Sequence, residues 1–152
     1  MITIAMSTVV GASRQQVWRA LTAPAERLGW DERLLAPIDG VEDYPRAGCL
    51  VRWRYRLGSV HVVMEDQPLE VVPGERLRSH LAFGHLRIDE IWTLADENGS
   101  GEQRTRLALR LVASNSVSLV GGLLDRFSLR EVAAEIADGR LRLLQKWCET
   151  RP

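Results

Sequence analysis

The chain has 152 residues, 45% hydrophobic and 26% charged, the proportions of one soluble globular domain. Its 20 basic residues balance 20 acidic ones, so no net field draws it to nucleic acid or to an anionic membrane. No apolar run approaches the roughly 20 residues that span a bilayer, and "MITIAMSTVV" lacks the basic and apolar regions of a signal peptide. A cytoplasmic protein without membrane insertion is expected.

Ile2 to Val10 alternates loosely, is rich in β-branched residues and predicts a strand. Gly11 ends it. Ser13 with Gln16 three residues later has the form of a capping box, opening a helix through "SRQQVWRAL" with Val17, Ala20 and Leu21 buried. Pro24 interrupts that helix, and a second short one over Ala25 to Gly29 follows.

Six further strands are predicted: Leu34–Val41, Cys49–Leu57, Val60–Val72, Arg76–Phe83, Arg87–Ala95 and Gln103–Ala113. The separators "YPRAG", "LGS", "VPGE", "FGH" and "DENGSG" are short turn-formers, which favour antiparallel neighbours. From Ser116 to Glu149 the chain reads as helix with two apolar stripes. One holds Leu123, Phe127, Ala134, Ala137, Leu141, Leu144 and Cys148; the other holds Leu129, Val132, Ile136, Leu143 and Trp147. A kink or break is expected near Gly121–Gly122 or Ser128, where Ser128 and Glu131 form another S-x-x-E capping box. The order is β-α-α-β6-α, an α+β fold whose antiparallel sheet buries one face under a long C-terminal helix.

In that order the segments "ASRQQVWRALTAPAERLGW", "PRAGCLVRWRYRLG", "LEVVPGERL", "EIWTLADENGSGEQRTRLALRL" and "GRLRLLQKWCE" resemble the helix-grip SRPBCC superfamily of START-like and Bet v 1-like domains, bacterial polyketide cyclases and co-chaperone-like proteins. The helix Val17–Pro24 leading to Trp30, the turn Pro73–Leu77 and the strand start Thr105–Leu107 carry the likeness, which covers nearly the whole chain. It implies a curved seven-stranded sheet gripping the long helix, with a cavity between them for a small hydrophobic molecule.

Strand parity then nominates the lining. In "CLVRWRYRL" Val51, Trp53 and Tyr55 face inward, leaving Arg52, Arg54 and Arg56 to solvent and to Glu65 or Asp89 across strands. In "RLRSHLAF" Ser79 and Leu81 face inward and His80 outward; in "SVHVVMED" Val60, Val62 and Met64 face inward and His61 outward. In "RIDEIWTLA" the more apolar parity is Ile88, Glu90, Trp92 and Leu94. A carboxyl there is either salt-bridged to an arginine or hydrated, or is a ligand-orienting acid/base with a raised pKa. Trp30 closes one end of the cavity; Leu109, Leu124 and Phe127 complete the lining. For each of these side chains plain core packing is the alternative role.

Two functions follow from this reading: binding of a small hydrophobic or aromatic ligand, or proton-transfer chemistry of the polyketide cyclase/aromatase type with Glu90, Tyr55 and Ser79 as candidates. An interaction module using the outer sheet is a third. No cofactor and no metal are expected: His61, His80 and His85 do not cluster, and Cys49 and Cys148 form no C-x-x-C pair. A homodimer is left open.

Overall fold

In the computed structural model, which describes residues 1–97, 102–115 and 128–151, seven antiparallel strands form one sheet in the order β1-β7-β6-β5-β4-β3-β2. The strands are β1 (Ile2–Val10), β2 (Leu34–Asp39), β3 (Val51–Leu57), β4 (Val60–Val72), β5 (Arg76–Phe83), β6 (Leu86–Asp96) and β7 (Thr105–Asn115). Helices α1 (Arg14–Thr22) and α2 (Pro24–Trp30) follow β1; α3 (Leu129–Ala137) and α4 (Arg140–Glu149) end the chain. The sheet is a meander from β2 to β7, and the first strand closes against the last. No described helix is long and apolar enough to cross a membrane.

The capping boxes expected at Ser13–Gln16 and Ser128–Glu131 both form, each serine side chain accepting from the backbone N–H three residues on. Pro24 opens α2, where its missing N–H leaves no bond unmade. The C-terminal helix runs in two segments. It starts behind Ser128 and breaks at Asp138–Gly139, where Gly139 is left-handed with φ of +71°. That break was not expected; the stretch 116–127, with Gly121–Gly122, lies outside the described residues.

Strand boundaries shift slightly from expectation. β2 stops at Asp39 rather than Val41, because Gly40 takes φ of +82° and a short 3₁₀ turn, Val41–Asp43, follows. A Cβ at Gly40 would lie 2.2 Å from the Leu50 carbonyl oxygen, so only glycine fits this turn. β3 starts at Val51 rather than Cys49, β6 is one residue longer at each end, and β7 runs two residues further along than expected.

Alternation decides which face is covered. Val51, Trp53, Tyr55 and Leu57 of β3 are buried and Arg52 and Arg54 exposed. Leu77, Ser79, Leu81 and Phe83 of β5, then Ile88, Glu90, Trp92 and Leu94 of β6, are buried in the same phase. α3 lies over β1 and β7 and reaches β3; α4 packs on α1, α2 and β1. Polar ties fasten these helices: Glu135 on α3 accepts the Gly58 N–H of the β3–β4 turn at 2.8 Å, and Glu149 on α4 accepts the Gly11 N–H at 2.7 Å. The outer arginines pair with other acids than parity alone suggests. Arg52 stands opposite Glu65 but bonds Asp39 on the edge strand, while Arg78 pairs with Asp89.

Candidate functional site

Nine of the eleven predicted lining residues are described, and all nine are buried: Trp30, Val51, Trp53, Tyr55, Ser79, Leu81, Glu90, Trp92 and Leu109. Eight come from the inner face of β3, β5, β6 and β7, and register holds them side by side. Ser79 stands opposite Glu90, and Trp92 opposite Leu109. Trp30 arrives from the end of α2, its indole N–H bonded to the Ala20 carbonyl at 2.8 Å and its ring edge-on to Trp92 at 6.4 Å. Leu124 and Phe127 lie outside the described residues.

Five more residues complete this interior. Arg27 and Asp31 come from α2 and its C-terminal cap, Tyr44 from the segment before β3, Asp66 from β4 and Arg140 from the start of α4; all five are buried. The Arg27 Nη1 donates to the Tyr44 hydroxyl at 2.8 Å and to Asp66 Oδ2 at 3.3 Å. Arg140 is ion-paired with Glu90, whose other oxygen accepts the Trp92 indole N–H at 3.0 Å. The Asp31 carboxyl stands between the two guanidiniums, 4.0 Å from Arg27 and 3.6 Å from Arg140.

Aromatic rings wall both cations. Arg27 sits over Tyr44 and Trp53 at 5.5 and 5.6 Å from their centroids, and Arg140 over Trp92 and Trp30 at 5.1 and 6.0 Å. The interior therefore carries two arginine–carboxyl units, joined through Asp31 and packed against aromatic rings.

The two inner-strand carboxyls differ in their protonation. Burial works to raise the pKa of Glu90, but Arg140, Arg27 and the Trp92 hydrogen bond outweigh it and hold the pKa low. The raised pKa considered for Glu90 does not occur, because an arginine is in direct contact. Asp66 goes the other way. Burial pushes it up to about 6, against the pull of Arg27, with Glu90 adding to the rise. Burial also raises the Tyr55 and Tyr44 hydroxyls, so both remain neutral donors at physiological pH.

Several polar atoms here are fully buried yet have no hydrogen-bond partner: the Tyr55 hydroxyl, Ser79 Oγ, Asp66 Oδ1, Asp31 Oδ2, Arg140 Nε and Trp53 Nε1. The Trp53 indole favours the ionised form of Asp66 by its nearness, without a hydrogen bond of normal geometry. Unpaired buried polar atoms are uncommon, and these six belong to side chains of this one interior network and its inner-face neighbours. An open hollow of about 490 Å³ lies on the outer face between Arg76 and Arg110, over Ala5 and Ser7; of the predicted lining residues only Leu109 borders it, and none of the charged network does. Among the described residues, no group of three or more His, Cys, Asp or Glu is placed to hold a metal ion.

The missed residues left a signal in the sequence. Asp66 continues the inward parity of Met64 on β4, and Arg140 lies four residues before Leu144 on one apolar stripe. Arg27 precedes Trp30 by three residues on a helix and so shares its buried face.

No family model matches this chain, and no curated protein matches its sequence. Among solved structures, it is similar to the Zhui aromatase/cyclase from Streptomyces sp. R1128, with a TM-score of 0.73 over 99% of this chain and 94% of that one, at 14% identity. A START superfamily protein from Mycobacterium smegmatis gives 0.71 over 97% of both chains at 12% identity. DynU16, from the dynemicin biosynthetic locus, gives 0.62 at 23% identity over 97% of this chain and 47% of that one. At such identities the likeness is one of fold. The chain has the helix-grip fold of START-like proteins and polyketide aromatase/cyclases, with the α+β arrangement and element order expected from its sequence.

Proposed function

We propose that this chain binds a small aromatic or polyketide-like molecule, bearing hydroxyl or carbonyl oxygens, between the inner face of the sheet and the C-terminal helices. One observation carries the reading. The hydroxyls of Tyr55 and Ser79 are buried on the inner face of the sheet that also carries Trp53 and Trp92, and have no protein partner. Leaving such groups unpaired costs about 1–3 kcal/mol each, and a bound polar molecule removes that cost. Aromatic walls give the same molecule apolar contact, the usual construction of a small-molecule site. The likeness to a START superfamily protein and to an aromatase/cyclase supports a ligand in this part of the fold. Native mass spectrometry of freshly purified protein tests it. A co-purified mass that is lost on denaturation, and reduced in the Tyr55→Phe/Ser79→Ala double variant, is expected.

A second reading, proton-transfer chemistry on a polyketide-like chain, draws its support from Asp66. A buried carboxyl with a pKa of about 6 can both give and take a proton near neutrality. Glu90, held ionised by Arg140, suits orientation of a bound molecule better than proton exchange. Incubation with a linear poly-β-ketone thioester mimic, followed by mass spectrometry for loss of water, tests this reading.

A further inference from the structure

We propose that Asp66, braced by Arg27, is the residue that recognises a hydroxyl group of the ligand, with Oδ1 accepting the ligand's O–H. This rests on the reading that the interior holds an aromatic molecule, and it adds the class: a phenol or enol whose hydroxyl enters as a donor.

The geometry is specific to Asp66. Its Oδ2 is engaged by Arg27 Nη1 at 3.3 Å, and the same nitrogen donates to the Tyr44 hydroxyl. Arg27 is thus fixed from two sides and holds the carboxyl in one orientation. Oδ1 is left buried and unpartnered, in a side chain 1% exposed, on a strand whose inward phase it shares with Met64. Glu90 differs in this respect: its two oxygens are taken by Arg140 and Trp92. Aromatic side chains stand next to the carboxyl: Trp53 lies beneath Arg27 and edge-on to Tyr44 at 6.1 Å, and its unpaired indole N–H is near Asp66. A planar ring resting on them can turn one hydroxyl into Oδ1.

The charged and titratable groups around Asp66 are Arg27 from α2, Tyr44 and Cys49 from the segment before β3, and Glu90 from β6. Arg27 favours the ionised carboxyl, while burial and Glu90 oppose it; the balance leaves the empty site titrating at about 6. A donating O–H favours the carboxylate, so it lowers that value and expels a proton on binding. Binding of a hydroxylated ring must therefore strengthen as pH rises through this range.

The test uses 2-naphthol and naphthalene, which share one ring system and differ by one hydroxyl, titrated into the full chain by calorimetry between pH 5 and 7.5. 2-Naphthol is expected to bind about ten times more weakly at pH 5 than at pH 7.5, following the ionised fraction of a group titrating at about 6. Near pH 6 its binding should release protons, seen as a dependence of the heat on buffer ionisation. Naphthalene should show neither effect. Asp66→Asn should flatten the 2-naphthol profile. The wild-type comparison needs no substitution, so it stands even if that variant does not fold. Equal, pH-independent binding of both probes overturns the role of Asp66 while leaving an aromatic site in place. Tighter 2-naphthol binding toward acid overturns it too, since the carboxyl would then be the donor. Binding of neither probe overturns both this role and the aromatic site, and leaves the unpaired atoms to water.

Discussion

Arg140, at the start of the last helix, closes an ion pair with Glu90, on the inner face of the sheet fifty residues earlier, and both side chains are almost wholly buried. This pair joins the two layers of the fold where the aromatic rings converge. A buried pair is a weak source of net stability, but breaking it strands a charge. Arg140→Met should therefore cost about 3–5 kcal/mol in urea denaturation, and adding Glu90→Gln should recover at least half of that loss. Equal stability of the single and double variants would contradict a direct pairing.

The pH dependence of folding should carry the mark of Asp66. Its pKa is raised from 3.8 to about 6, so protonation favours the folded state. That contribution is complete below the ordinary carboxyl value and is lost as pH rises through 6. A shift of about two units corresponds to roughly 3 kcal/mol. Glu90, with its lowered pKa, works in the opposite sense: it stabilises above the ordinary range and is lost as pH falls below it. Wild-type protein should gain stability from pH 7.5 toward pH 5, and Asp66→Asn should remove that gain. Chemical denaturation of the two proteins across this range checks the sign.

Tyr55→Phe and Ser79→Ala separate a binding role from a packing role. Each deletes a hydroxyl with no partner in the protein, so neither should lower the stability of the empty chain by more than about 0.5 kcal/mol. Each should weaken a hydroxylated aromatic ligand by about tenfold, near the 1.4 kcal/mol that one hydrogen bond can supply. Melting curves with and without 2,7-dihydroxynaphthalene, whose second hydroxyl is left for these groups, measure both effects.

Gly29 meets the Trp147 ring where α2 crosses α4. A Cβ there would stand 2.4 Å from the ring, closer than packed atoms allow. Trp147 is anchored by its N–H to Glu26 at 2.9 Å, so it cannot swing away freely. Gly29→Ala should cost about 1–3 kcal/mol, and Trp147→Leu should relieve part of that cost in the double variant. Additive losses in thermal unfolding would place the strain elsewhere.

The sheet was legible because one face is covered: period-two alternation in β3, β5 and β6 forces Trp53, Tyr55, Ser79, Glu90 and Trp92 inward together. The helices were legible through their caps, Ser13 with Gln16 and Ser128 with Glu131. The charge network was not. Arginines usually mark solvent, and Arg27 and Arg140 are buried only because Asp66, Asp31 and Glu90 meet them from elements far apart in sequence. At Asp66 parity prevails over polarity: it is buried in phase with Met64 although a carboxyl ordinarily marks solvent. The break at Gly139 was hidden by an apolar stripe running through it, since the stripe records which side is covered and not whether the backbone is continuous.

The five tryptophans report on ligand position most directly, through their indole N–H signals in a nitrogen-15 correlation spectrum. Those of Trp30, Trp92 and Trp147 are engaged by Ala20, Glu90 and Glu26, whereas that of Trp53 has no partner beside the free oxygen of Asp66. On titration with 2-naphthol the Trp53 signal should move furthest, Trp92 and Trp30 less, and Trp18 and Trp147 should stay in place. A spectrum in which no indole signal moves, or in which only Trp18 and Trp147 respond, would contradict an aromatic ligand held between sheet and helices.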